Sequence, residues 1–292
     1  MEIRDVPTVE IQGSFLSALP PKPLIKIRAS HSPVRSQLKD AWTHRELLYF
    51  LIWRDLKVRY RQTLLGVGWV ILQPLLTTIV FTVFMSKLVR VPSDGVPYPL
   101  FAYAGLLPWI FFSNSVSTST YSLISNSYII TKVYFPRLII PAAIVGVRLV
   151  DFMVASVVLI GLMPAYGVSV KAGILLLPLL VGEIALFTFA LSLWFSVLNI
   201  RYRDVGTLLP VLIQLLMFIS PVLYPSSLVP DRWRLLYSLN PMAAIIEAIR
   251  ASLFGLPFDW WGLAISAVFT VVLSIYFVYF FCRREEKLID II

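Results

Sequence analysis

Gly262-Leu-Ala-Ile-Ser-Ala-Val-Phe-Thr-Val-Val-Leu-Ser-Ile-Tyr-Phe-Val-Tyr-Phe-Phe281 carries no charged side chain, and Cys282-Arg-Arg-Glu-Glu-Lys287 follows it at once. An α-helix rises about 1.5 Å per residue, so roughly 20 apolar residues cross the ~30 Å hydrocarbon layer of a bilayer. The stretch has that length, and it predicts a membrane-spanning helix with a basic collar at its C-terminal end. Working outward from it, five more segments read the same way: Gly66–Val89, Tyr98–Ile124, Leu138–Met163, Ile174–Leu198 and Leu208–Tyr224. Tyr98–Ile124 is apolar to Phe112 and then turns to Ser, Thr and Asn; Leu208–Tyr224 is short; Pro74 predicts a kink in the first span.

The bulk composition agrees. Of 292 residues 58% are hydrophobic and only 14% charged, with a mean hydropathy of +0.82. A soluble domain carries about 25% charged residues to cover its surface, so the outer surface here is expected to face lipid. The formal charge of +9 does not point to nucleic acid, because the basic residues sit at the ends of apolar runs and not together on one face. Cys282 is the single cysteine and His31 and His44 the two histidines, which excludes an intrachain disulfide and leaves no metal-ligand cluster. Residues 1–30 lack a continuous apolar core, so no cleavable signal peptide is expected.

Positive charge fixes the expected orientation. Arg54, Lys57, Arg59 and Arg61 precede the first span, Lys132 and Arg137 lie between the second and third, Arg201 and Arg203 between the fourth and fifth, and Arg283, Arg284 and Lys287 follow the sixth. All fall on one side, read as the cytoplasm. The opposite loops hold fewer: Lys87 and Arg90, then Lys171. Six spans place both termini inside.

Residues 1–42 read as a polar, partly disordered cytoplasmic lead broken by Pro20, Pro21 and Pro23. Residues 43–62 read as an amphipathic helix lying in the membrane interface: Thr43 and Glu46 have capping-box spacing, Leu48, Ile52, Leu56 and Tyr60 recur every four residues, and Arg54, Lys57 and Arg61 occupy another face. Residues 63–285 form the six-helix membrane domain and residues 286–292 a cytoplasmic tail. The outer connection from Pro225 to Trp261 is too long for a turn. Within it Met242–Leu253 reads as a helix with Glu247 and Arg250 three apart. Two placements fit: a re-entrant helix covered by protein, or an amphipathic helix resting on the outer leaflet.

There is no G-x-x-x-x-G-K-[ST] loop, no G-x-S-x-G and no H-E-x-x-H, so the chain is read as carrying no ATPase site and no catalytic or metal site of those kinds. Arg148, Asp151 and Glu183 are the ionisable residues inside spans, where charge is costly and marks function by default. Arg148 and Asp151 can pair at i, i+3. They serve either to fix a helix contact or to meet a substrate. Glu183 reads as a proton-linked site, a protonated carboxyl or a bridge between helices. Trp69, Trp109, Trp194, Trp260 and Trp261 with several tyrosines lie mostly near span ends and suit interfacial anchoring or a passage lined by flat apolar faces. Ser113, Asn114, Ser115, Ser117, Thr118, Ser119 and Thr120 are expected to face other helices or a wet conduit.

Arg54-Asp-Leu-Lys-Val-Arg-Tyr-Arg-Gln-Thr-Leu-Leu-Gly-Val-Gly-Trp69 with Gln73-Pro74 resembles the start of ABC-2 type permeases that export polysaccharides. The likeness continues in order through Gly105-Leu-Leu-Pro-Trp109, Lys132-Val-Tyr-Phe-Pro-Arg137, Arg201-Tyr-Arg-Asp204, Ser220-Pro-Val-Leu-Tyr-Pro225 and Leu239-Asn-Pro241. It implies an all-α fold of the type V exporter kind, with an interface helix and re-entrant outer helices between spans five and six. It also implies a homodimer in the bacterial inner membrane with two copies of a cytoplasmic ATPase that holds the ATP and Mg, and an undecaprenyl-linked glycan as substrate. The loop with Asn126, Tyr128, Lys132, Tyr134, Pro136 and Arg137 would dock on the ATPase. Spans one and five would line the channel, which makes Trp69, Phe81, Phe84, Phe218 and Tyr224 its candidates. The readings weighed beside it are an ABC-2 permease for a drug or lipid, a secondary transporter, which calls for internal repeats and paired midplane charges, and a membrane glycosyltransferase.

Overall fold

In a computed structural model of the chain, residues 34–61, 65–169, 171–233, 237 and 239–288 are described. The expectations for residues 1–33 and for the tail past 288 lie outside them. Ten α-helices follow one another among the described residues: α1 Val34–Thr43, α2 Arg45–Arg61, α3 Gly68–Phe81, α4 Tyr98–Ser125, α5 Ser127–Lys132, α6 Ile139–Ala165, α7 Leu177–Arg201, α8 Asp204–Ile219, α9 Pro241–Phe254 and α10 Trp260–Leu288. Helix α3 widens into a π-helix over Thr82–Val89, and Ala172–Leu176 is a 3₁₀ lead into α7.

Five of these helical stretches are long and apolar enough to cross a membrane: Gly68–Val89, Tyr98–Thr120, Ile139–Ala165, Ala172–Arg201 and Trp260–Glu285. The fifth expected span differs. Helix α8 begins at Asp204, four residues before the expected Leu208, and stops at Ile219, giving 16 residues or about 24 Å. Ser220 is extended (ψ 149°), as the residue before a proline prefers, so Pro221 ends the helix.

Helix α4 is the axis of the bundle. Of its most apolar window 78% is buried, against 11% for α3 and 22% for α10. It packs chiefly on α6 and α7, and α7 in turn packs on α10. Lipid is as apolar as leucine, so helices in a bilayer associate through close packing and small residues. Ser115, Ser119 and Thr120 of α4 and Thr188, Ser192 and Ser196 of α7 are all buried, and Phe112 stacks on Phe187 with ring centroids 5.8 Å apart. The Ser/Thr-rich half of the second span is therefore a helix-packing surface for the most part.

Helix α2 lies along α6, with Leu47, Leu48, Leu51 and Ile52 clustered on Ile139 and Ala143. The expected capping box does not form: the Thr43 hydroxyl donates to the Lys39 carbonyl at 3.0 Å, inside a helix that already began at Val34. The face of α2 turned away from α6 is more aromatic than expected, with Tyr49, Phe50 and Trp53 exposed beside Lys57 and Arg61.

Helix α9 forms within the outer connection. All its residues are buried except Ala244 and Glu247, which are half-buried, and it packs on α4, α7 and α10. Protein covers most of its surface. Asn240 starts it, accepting the Met242 N–H at 3.1 Å, and Gly255 at φ 72° closes it in the left-handed conformation glycine tolerates.

Candidate functional site

Two arrangements gather the polar residues that the packing does not explain. The first is a cleft where the C-terminal turn of α2 meets α3, α4 and α6. Arg59 Nη1 lies 2.6 Å from Asp151 Oδ2, the Tyr60 hydroxyl donates to Asp151 Oδ1, and Arg148 Nη1 stands 3.7 Å from the same carboxylate. Arg148 Nη2 also donates to Thr118 Oγ1 at 3.1 Å. The expected Arg148–Asp151 pair is thus the looser half of a larger cluster, and the closer partner of Asp151 comes from a helix 92 positions away in sequence. Two guanidinium groups share one carboxylate, which leaves one positive charge in excess. Burial, and then the bond to Asp151, push the Tyr60 phenol up to about 12, so it stays a donor. The cleft holds about 220 Å³ and is lined by Arg59, Trp69, Gln73, Asn114, Arg148 and Asp151 among others. A cationic cleft beside an indole, at the C-terminal turn of α2, can receive an anionic headgroup.

The second arrangement is a knot around Arg250 of α9. Its Nη1 donates to the Pro221 carbonyl at 2.6 Å, Nη2 to Val222 at 2.7 Å and Nε to Phe101 at 3.2 Å, and the guanidinium lies 3.6 Å from the Phe101 ring centroid. Arg250 is 2% exposed. Pro221 ends α8 and frees carbonyls that no helix can use; Arg250 is the donor that takes them. Gly105 of α4 leaves the room, because a Cβ there would collide with that guanidinium and with the Val222 carbonyl. Tyr98 donates to Leu223 O at 2.9 Å and Asn240 to Ser220 Oγ at 2.9 Å. Two separated motifs, Gly105–Trp109 and Ser220–Pro225, therefore meet at one arginine, and Leu239–Pro241 joins them through the Asn240–Ser220 bond. Sequence reasoning saw Arg250 only as a neighbour of Glu247. Its partners are backbone carbonyls, which leave no mark in side-chain spacing. Glu247 instead accepts the Ser226 N–H at 3.0 Å, and burial raises its pKa above the ordinary carboxylate value.

The other expected residues are scattered. In the loop after α4, Tyr128 and Tyr134 are exposed, and Lys132 Nζ reaches the Tyr128 hydroxyl at 3.0 Å. Asn126 caps the turn, its amide donating to Ser122 O at 2.8 Å, and Pro136 is buried. Arg137 turns inward: it is 8% exposed, its N–H donates to Glu285 Oε1 at 2.8 Å, and its guanidinium donates to the Glu285 carbonyl. The residue ties the loop to α10 and does not stand on a docking face. Of the interface-helix basic residues, Arg54 pairs with Asp55 at 2.8 Å, Arg59 enters the cleft, and Lys57 and Arg61 remain exposed. Glu183 accepts from Ser266 at 2.8 Å and so bridges α7 to α10. Among the channel candidates, Trp69 lines the cleft while Phe84 lies about 22 Å further along the same helix. Phe84 and Phe218 are exposed, Phe81 packs on the core, and the Tyr224 hydroxyl donates to Phe218 O at 3.1 Å. One organiser was missed altogether. Buried Asn199 joins α4 to the α7–α8 turn, donating to Thr120 O and accepting the Gly206 N–H, both at 3.0 Å.

A bundle of apolar helices around α4, with a charged cleft between its helices and a pinned turn after α8, defines a polytopic helical membrane protein. The chain belongs to the ABC-2 type transporter family, whose model matches residues 46–254. It is 32% identical over 254 residues to the O-antigen export system permease protein RfbA of Myxococcus xanthus, covering 85% of this chain and 96% of that protein. It is also 32% identical over 206 residues to RfbA of Klebsiella pneumoniae, covering 70% and 79%. The polysialic acid transport protein KpsM of Escherichia coli is 22% identical over 244 residues, covering 82% and 93%.

Proposed function

We propose that the chain is the membrane-spanning subunit of a bacterial ABC exporter that moves a lipid-linked, O-antigen-like polysaccharide across the inner membrane. In this reading two copies assemble with two copies of a separate ATPase, which supplies the ATP and Mg sites. The cleft under α2 carries the proposal. It opens where the C-terminal turn of α2 meets the start of α3 and the middle of α4 and α6, and its two guanidinium groups suit the paired acceptors of a diphosphate headgroup. The 32% likeness to permeases named for O-antigen export supports the same substrate class. Helix α8 and the extended stretch after it would complete a sixth span, and the re-entrant α9 would close the outer end.

The exposed apolar side chains of α3 and α8, among them Ile79, Phe84, Leu215 and Phe218, suit a second copy packed across a channel. Exposed Lys132 and Tyr134 suit an ATPase docked at the basic end. A permease for an anionic lipid is the second reading, because the cleft would accept its headgroup equally well. Co-purification decides the class. The chain should come down with a Walker-A ATPase in equal amount, and hydrolysis should rise with lipid-linked glycan and not with anionic phospholipid. A chain that purifies alone, with no effect on that ATPase, would overturn the proposal.

A further inference from the structure

An open cavity of about 770 Å³ lies at the Arg250 end of the bundle, between α9, the first turn of α10 and the turn at 225–229. That volume is in the range of ligand sites, about 300–1,000 Å³. Its lining is mixed: Asp94, Ser226, Tyr237, Glu247, Asp259 and Trp261 all contribute. Each carboxylate spends an oxygen on local structure. Asp94 Oδ1 accepts from Ser227 at 3.1 Å, Glu247 Oε1 from the Ser226 N–H at 3.0 Å and Asp259 Oδ1 from the Gly262 N–H at 2.9 Å. A carboxylate has a second oxygen with its own lone pairs, so the wall keeps acceptor capacity. Arg250 also lines the cavity; three of its five N–H groups go to carbonyls, which holds this wall rigid. Trp260 is held by stacking on Phe258 with centroids 5.0 Å apart, while Trp261 beside it is 77% exposed.

Carboxylate acceptors, hydroxyl and guanidinium donors and an open indole around one cavity match one kind of ligand. Its polar groups must both donate and accept, and it must present flat C–H faces. We propose that this cavity binds saccharide units of the exported glycan, and that it selects neutral or amino sugars over acidic ones. The charge balance sets the selection. Asp94 and Asp259 face a single guanidinium already committed to carbonyls, so an anionic sugar meets net repulsion while an amino sugar gains an ion pair. The inference rests on the glycan-export reading and adds the sugar class to it.

The full chain in lipid nanodiscs can be titrated with hexasaccharides of maltose, N-acetylglucosamine, glucosamine and sialic acid, with binding read by saturation-transfer NMR. Saturable binding is expected for the first three, tightest for the glucosamine oligomer, and none for the sialic acid oligomer. Trp261→Ala should weaken binding roughly two- to tenfold. Asp94→Asn, which keeps the acceptor for the Ser227 hydroxyl, should reduce the preference for glucosamine. Size exclusion and thermal melting confirm that both variants fold. Binding of the acidic oligomer as tight as the neutral one, binding untouched in both variants, or no saturation with any sugar would overturn the proposal. Vesicles of the same chain with its ATPase separate the two readings. Export of glycan without saccharide binding sinks the cavity alone, whereas absent export in an assembled, hydrolysing complex sinks the function on which it rests.

Discussion

Arg250→Met removes one donor group and keeps most of the side-chain length, so its consequences can be worked from the knot. Three carbonyls lose a partner: Phe101, Pro221 and Val222. Phe101 lies inside α4 and its oxygen belongs to that helix's own ladder. Pro221 and Val222 lie past the end of α8, and their oxygens have no such alternative. A buried polar group left unpaired costs about 1–3 kcal/mol, or about 2–6 kcal/mol for two. Keeping a guanidinium charged in the interior also costs free energy, and the variant is relieved of it, so a net loss of about 2–4 kcal/mol is expected. At about 1.4 kcal/mol per tenfold that is roughly 30- to 700-fold less protection against local opening. Hydrogen–deuterium exchange of peptides covering 216–228 and 241–254, in detergent, reads it directly. Gly105→Ala provides the cross-check. Its methyl collides with the same guanidinium, so it should cost about 1–3 kcal/mol alone and less when Arg250 is already Met. Unchanged protection at 216–228 in Arg250→Met would refute the reasoning.

Asp151→Asn leaves Arg59 and Arg148 without their shared carboxylate, and because Arg59 is one-third exposed the loss should be only about 1 kcal/mol. Limited proteolysis should show α2 released from α6 more readily while the rest of the chain stays intact. Lys132→Glu, on an exposed side chain, should leave folding unchanged and lower ATPase stimulation, whereas Arg137→Ala should first reduce thermal stability, because Arg137 holds Glu285. Equal effects of the two on stability would contradict the division drawn between them. Glu247 has its pKa raised by burial, so the folded state favours its neutral form. That contribution is complete below the ordinary Glu value and is lost as pH rises through the raised value. Glu247→Gln should therefore melt higher than the native chain at pH 8, with the difference vanishing near pH 4.5.

Much of the fold could be read from apolar length alone. Gly262–Phe281 sits within α10, and Leu138–Met163 matches Ile139–Ala165 to within two residues, because a lipid-facing helix must be apolar along its whole length. What stayed hidden were interactions between distant elements. Nothing in the spacing of Arg148 and Asp151 announces that Arg59 and Tyr60 complete the cluster from 92 and 91 positions away. Arg137 was grouped with Lys132 for its charge, yet the chain turns between them and buries one while exposing the other. The ordered motifs marked the right places without saying why. Gly105, Pro221 and Asn240 matter through space, a freed carbonyl and a cap, and these become legible only once Arg250 stands among them.

The proposed function is ATP-driven export of a lipid-linked glycan by this chain together with a separate ATPase. Inside-out vesicles containing both subunits, loaded on the outer face with a lipid-linked oligosaccharide and then exposed to a glycosidase, test it most directly. The account predicts that ATP makes the glycan progressively resistant to the enzyme, and that omitting either subunit, or ATP, abolishes the effect. Equal protection without the ATPase, or none while an assembled complex hydrolyses ATP, would contradict it.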